Sequence, residues 1–92
     1  MPPESVREVP LTNQYGLHAR PASRIVGIAS RYRSEIQLSN GNGRAVNAKS
    51  ILDVLTLAAG SGARLTIRAV GDDADQAVTE IAQLVESKFG ED

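Results

Sequence analysis

Between Arg64 and Phe89 the apolar pattern changes period once, and that change fixes most of what the chain can become. In "RLTIRAV", Leu65, Ile67 and Ala69 alternate with Thr66 and Arg68, the two-residue period of a strand with one buried face. After the turn residues "GDD", Ala74, Ala77, Val78, Ile81, Leu84, Val85 and Phe89 recur at helical spacing. This predicts a helix over 73–89, acidic at its start and with Lys88 near its end, as the helix dipole favours. A strand with one apolar face and a helix with one apolar stripe bury both by packing in two layers.

The rest of the chain repeats these signals. "VREVPLTN" places Val9 and Leu11 on one face of a short first strand, and Pro10 assigns that strand to a sheet edge, where a missing N–H is tolerated. From Ala19 to about Tyr32, Ala22, Ile25, Val26 and Ala29 follow helical spacing, with Pro21 acceptable because it falls in the first turn. "SEIQLSN" gives a strand with Ile36 and Leu38 on one side, "NGNG" a turn that tolerates positive φ, and "RAVN" the returning strand of a hairpin. Ser50 opens "SILDVLTLA", a short apolar helix of about two turns that stops at "AAGSGA". The order is β-α-β-β-α-β-α, an α+β fold in which three helices cover one face of a mostly antiparallel sheet and the other face meets water.

Composition narrows the function. At 92 residues the chain has room for one domain, 1–92. Ten basic residues against eleven acidic ones give a net charge of −1, so no overall field draws it to nucleic acid or anionic lipid. Aromatics at 3% leave few stacking surfaces for single-stranded nucleic acid. The absence of cysteine removes disulfides, thiolate metal sites and thiol nucleophiles and fits a reducing compartment. "MPPESVREVP" has no apolar core of a secretory leader, and no stretch approaches ~18 apolar residues, so a cytoplasmic protein without a membrane span is expected.

The sole histidine lies in "GLHARPAS", where a strand has ended and a helix is about to begin. Backbone N–H groups of a first helical turn lack intrahelical partners and sit at the positive end of the dipole, so an anion is stabilised there. Neutral imidazole carries one unprotonated nitrogen, a nucleophile near pH 7, and Arg20 and Arg24 can pair with phosphoryl oxygens. His18 can therefore accept a phosphoryl group and hold it at the helix start. On spacing alone the first reading of such a histidine is a cap or a surface residue. One histidine without cysteine or paired carboxylates does not fill a tetrahedral shell, so no metal site and no cofactor are expected. Ser23 and Asp53 are linked to His18 by no nucleophile motif.

"GLHARPAS", followed after about two dozen residues by "NAKSILDVLTLAAGSGARLTIRAVGDDADQAV", resembles the HPr family, the histidine-containing phosphocarriers of the bacterial phosphoenolpyruvate-dependent phosphotransferase system. The resemblance runs from about Val6 to Phe89. It implies an open-faced sandwich with sheet order 1-4-2-3, phosphorylation of His18 through Nδ1, and Arg20 adjusting to the phosphoryl group. Enzyme I would donate and an enzyme IIA domain would accept. The protein would be a carrier rather than an enzyme, in either the carbohydrate branch or the nitrogen-related regulatory branch, and a monomer suits a carrier that shows one face to several partners. Two other functions stay open: a regulatory module acting through protein contacts, against which the intact motif argues, and a carrier for a dihydroxyacetone kinase system.

Ser50, with Asp53 three residues on, reads as a helix cap. The resemblance adds phosphorylation of Ser50 by an HPr kinase/phosphorylase, although Asp53 departs from the neutral or basic residue expected in regulated members. Helical geometry aligns Arg20, Arg24, Gly27 and Arg31 on one stripe of the first helix, a steering surface for an acidic partner. Leu52, exposed on the short helix, would give the contact an apolar centre.

Overall fold

A computed structural model describes residues 2–41 and 43–90. Its elements are β1 (Glu4–Pro10), α1 (Ala19–Ala29), β2 (Glu35–Ser39), β3 (Ala45–Asn47), α2 (Ile51–Leu55), β4 (Arg64–Val70) and α3 (Ala74–Glu86), with a closing 3-10 turn at Lys88–Gly90. The sheet is antiparallel in the order β1-β4-β2-β3, as the resemblance implies. Central β4 runs beside β1 from Glu4↔Val70 to Pro10↔Arg64 and beside β2 from Glu35↔Val70 to Ser39↔Thr66. Pro10 ends an edge strand, where it interrupts no ladder on its outer side.

The alternation read from the sequence sets the two sheet faces. Val9, Ile36, Leu38, Val46, Leu65, Ile67 and Ala69 point under the helices and are buried with Ala22, Ile25, Val54, Ile81 and Val85. Each large aliphatic side chain buried this way contributes about 1.5–3 kcal/mol of transfer free energy. The outer face is polar: Arg64 pairs with Glu8 at 2.7 Å and Arg68 with Glu4, each across the β1–β4 ladder.

Four boundaries differ from expectation. β1 starts at Glu4 and stops at Pro10; Leu11 follows outside the strand, fully buried, its N–H bonded to the Ala63 carbonyl at 2.8 Å. α1 stops at Ala29 rather than Tyr32. The next N–H groups, of Arg31 and Tyr32, reach back only three residues, to Ile28 and Ala29, and their side chains turn to Glu80 on α3. Arg31 therefore leaves the helical stripe in which periodicity placed it. α2 is a single turn, Ile51–Leu55, closed by short bonds from Thr56 and Leu57. α3 ends at Glu86, and Lys88 and Phe89 adopt left-handed φ values of 58° and 57° that drive the Phe89 ring into the core. The expected "NGNG" turn includes position 42, which lies outside the described residues.

Candidate functional site

His18 is the N-cap of α1, in extended conformation, and its side chain makes no capping bond to its own helix. Its carbonyl accepts the first helical bond, from the Ala22 N–H at 3.0 Å. The N–H groups of Ala19 and Arg20 thus stand at the open end of the helix, and Pro21 contributes none. The imidazole is half-exposed, in a shallow depression lined by Gln14, Tyr15, Arg20, Arg24 and Gly90.

The loop before it is held firmly. Gly16 has φ 63°, and a Cβ there would lie 2.3 Å from the Ala59 carbonyl oxygen, so only glycine fits this approach to the loop after α2. Leu17 then buries its side chain and bonds its N–H to that carbonyl at 2.9 Å. Asn13 Nδ2 donates to the Gly16 carbonyl at 2.9 Å and fixes the turn from inside. His18, one residue later, has its backbone set from both sides.

The four residues placed on one stripe separate. Arg20 is exposed beside His18 in the depression, and Gly27 is exposed farther along α1. Arg24 also borders the depression but turns its Nη1 to the Phe89 carbonyl at 2.8 Å. Arg31 pairs with Glu80, away from the stripe. The Tyr32 hydroxyl donates to the same carboxylate; this bond, more than the arginine, keeps the Glu80 pKa below the usual range and the Tyr32 pKa above its own.

Ser50 caps α2, its Oγ accepting from the Asp53 N–H at 3.3 Å. Leu52 is 73% exposed, and Ile51 and Leu55 lie partly open on the same short helix. Sequence reasoning missed Tyr15, whose ring meets the imidazole edge-on, and the carbonyl of Phe89 that holds Arg24. Among the described residues, no group of three or more His, Cys, Asp or Glu side chains could hold a metal ion, and no helix is long and apolar enough to cross a membrane.

Fold and site together define an open-faced β-sandwich that presents a lone histidine at the start of α1, with basic side chains around it. The family model described as the phosphotransferase system HPr component phosphorylation site matches residues 6–87. The chain is 44% identical over 87 residues to the phosphocarrier protein HPr of Treponema pallidum, covering 95% of this chain and 98% of that one. It is 40% identical over 85 residues to the phosphocarrier protein NPr of Shewanella violacea, covering 92% of each. The crystal structure of HPr-C-His from Thermoanaerobacter tengcongensis superposes with a TM-score of 0.90 at 39% identity, over 96% of this chain and 98% of that one. The chain belongs to the HPr family of phosphocarrier proteins of the phosphotransferase system.

Proposed function

We propose that His18 is the residue that carries the phosphoryl group, taking it from phospho-enzyme I and passing it to enzyme IIA domains. The observation that supports this most is the uncapped start of α1: the N-cap side chain is a nucleophile and makes no bond to the N–H groups beside it. In the transfer, the Nδ1 lone pair of His18 attacks phosphorus in line as the bond between phosphorus and the donor breaks. The electrons of that bond stay on the donor. The backbone N–H groups of Ala19 and Arg20 and the Arg20 guanidinium then neutralise the phosphoryl oxygens without enclosing them, so the next acceptor can attack from the open side.

In this reading the protein is a monomeric cytoplasmic carrier that turns over nothing alone. Arg20, Arg24 and Gly27 on α1 and Leu52 on α2 form its docking face, a charged rim beside an apolar centre. Arg31, paired with Glu80, contributes to that rim less than the helical stripe suggested. Intact-mass spectrometry at mildly alkaline pH, after mixing with phosphoenolpyruvate and enzyme I, tests the proposal. One phosphoryl mass, removed by acid and absent from His18→Ala, is expected. Labelling that survives His18→Ala would overturn the assignment.

A further inference from the structure

Tyr15 is 69% exposed, and its ring centroid lies 5.9 Å from that of His18 with the two planes at 87°. The chain has three aromatic residues, two Tyr and one Phe. Phe89 is fully buried, and Tyr32 is half-buried with its hydroxyl on Glu80. Tyr15 is the aromatic that the core does not use. It nevertheless stands on a fixed loop, since Gly16 is wedged against Ala59 and Gly60, and the Asn13 side chain holds the Gly16 carbonyl. A large ring kept in solvent beside the reacting imidazole asks for an explanation in that imidazole's chemistry.

We infer that Tyr15 is a positioning residue for His18, whose ring holds the imidazole plane through the edge-on contact and takes the place of water on one side of it. The inference rests on the carrier reading given above. Perpendicular aromatic pairs attract each other through their quadrupoles, which adds a restraint on rotation of the half-exposed imidazole. A restrained imidazole keeps Nδ1 at the open helix end, and transfer between two proteins depends steeply on that alignment. The competing reaction is hydrolysis: a water oxygen attacks phosphorus, the P–Nδ1 bond breaks, Nδ1 keeps the electron pair, and inorganic phosphate departs. That water, like the acceptor, attacks in line from the side opposite Nδ1; the Tyr15 ring acts on the leaving group instead, displacing water that would solvate the imidazole as the P–Nδ1 bond breaks. Its hydroxyl has no part in either effect.

The test compares wild type, Tyr15→Ala and Tyr15→Phe, all labelled with phosphoenolpyruvate and enzyme I. Because the side chain is exposed, both variants are expected to fold. Tyr15→Ala should hydrolyse its phosphohistidine about threefold faster and transfer to an enzyme IIA domain about three- to tenfold more slowly, the range an aromatic pair supplies. Proton NMR should show the His18 ring resonances moving in Tyr15→Ala as the ring current is lost, and Tyr15→Phe should restore shifts and rates. Unchanged His18 resonances in Tyr15→Ala would overturn the inference. So would slower transfer through KM alone with the same hydrolysis rate, which would make Tyr15 a docking contact. Wild type that takes no phosphoryl group would overturn the carrier reading, and this inference with it; labelled wild type matched by Tyr15→Ala in every measurement would overturn this inference alone.

Discussion

The starts of α1 and α2 pose the same physical problem and solve it in opposite ways. Both N-caps are extended, His18 with φ −77° and ψ −174°, Ser50 with φ −119° and ψ 116°. Ser50 uses its hydroxyl on the Asp53 N–H, a bond worth about 1 kcal/mol to the helix. His18 makes no such bond. A single-turn helix that buries only Val54 needs the cap, whereas α1 buries Pro21, Ala22, Ile25 and Ala29 and is held by packing. The helix that can stand without a cap is the one whose N-cap side chain leaves the first-turn N–H groups unbonded by it.

The sharpest way to break this comparison is to exchange the roles. His18→Ser should give α1 the cap it lacks, raising stability by up to about 1 kcal/mol, while phosphoryl labelling disappears completely. A loss of stability would show that the imidazole supports the helix start after all. Next in size is Phe89→Ala. Emptying that site should cost about 3–5 kcal/mol by denaturant midpoint and free Arg24 from the carbonyl that holds it beside His18. A cost below about 1 kcal/mol would mean that the left-handed turn at Lys88–Phe89 is not held by the ring. At the other helix, Ser50→Ala should lower stability by about 1 kcal/mol and leave labelling by enzyme I unchanged. Equal midpoints would make the observed cap idle. A phosphoryl group on Ser50 would meet the Asp53 carboxylate as a like charge and displace the same capping bond, so seryl modification would also act against α2.

The two helix starts were legible because each announces itself locally: His18 precedes Pro21 in an apolar helical period, and Ser50 precedes Asp53 at capping spacing. The sheet was legible for a similar reason, since a one-residue slip of Leu65, Ile67 and Ala69 would expose the whole set. The resemblance supplied the strand order, which no local pattern contains. Helix ends were less readable. Arg31 and Tyr32 are as acceptable to a helix as the residues before them, and what ends α1 there is Glu80, distant in sequence. Phe89 fits the apolar period of α3, yet its ring enters the core from a left-handed turn that no proline or glycine foretells before Gly90. Tyr15 was missed because a lone exposed aromatic in a loop has no period. Its partner is recognised only once the ring positions are known.

The third helix start extends the comparison and gives the smallest effect. Asp73, the N-cap of α3, also makes no side-chain bond to its own helix. Its carboxylate instead accepts from the backbone N–H groups of Arg33 and Ser34, at 2.9 and 3.0 Å, and from the Ser34 hydroxyl, tying α3 to the turn that enters β2. The Ser34 hydroxyl and then the Arg33 N–H hold the Asp73 carboxyl below its ordinary pKa. A carboxyl whose folded pKa is depressed adds stability that is complete above its unfolded value, about 3.9, and is lost as pH falls through the folded value. Urea midpoints of the unphosphorylated protein should therefore hold steady from pH 7 to about pH 5 and decline below about pH 4, with Glu80 contributing in the same direction. Asp73→Asn keeps one acceptor oxygen but cannot ionise. Its midpoint should be lower at pH 7 and its decline in acid shallower, so that the two curves converge as pH drops. Parallel curves would show that the Asp73 carboxylate holds the β2 turn no better charged than neutral, and that its ionisation adds nothing to the start of α3.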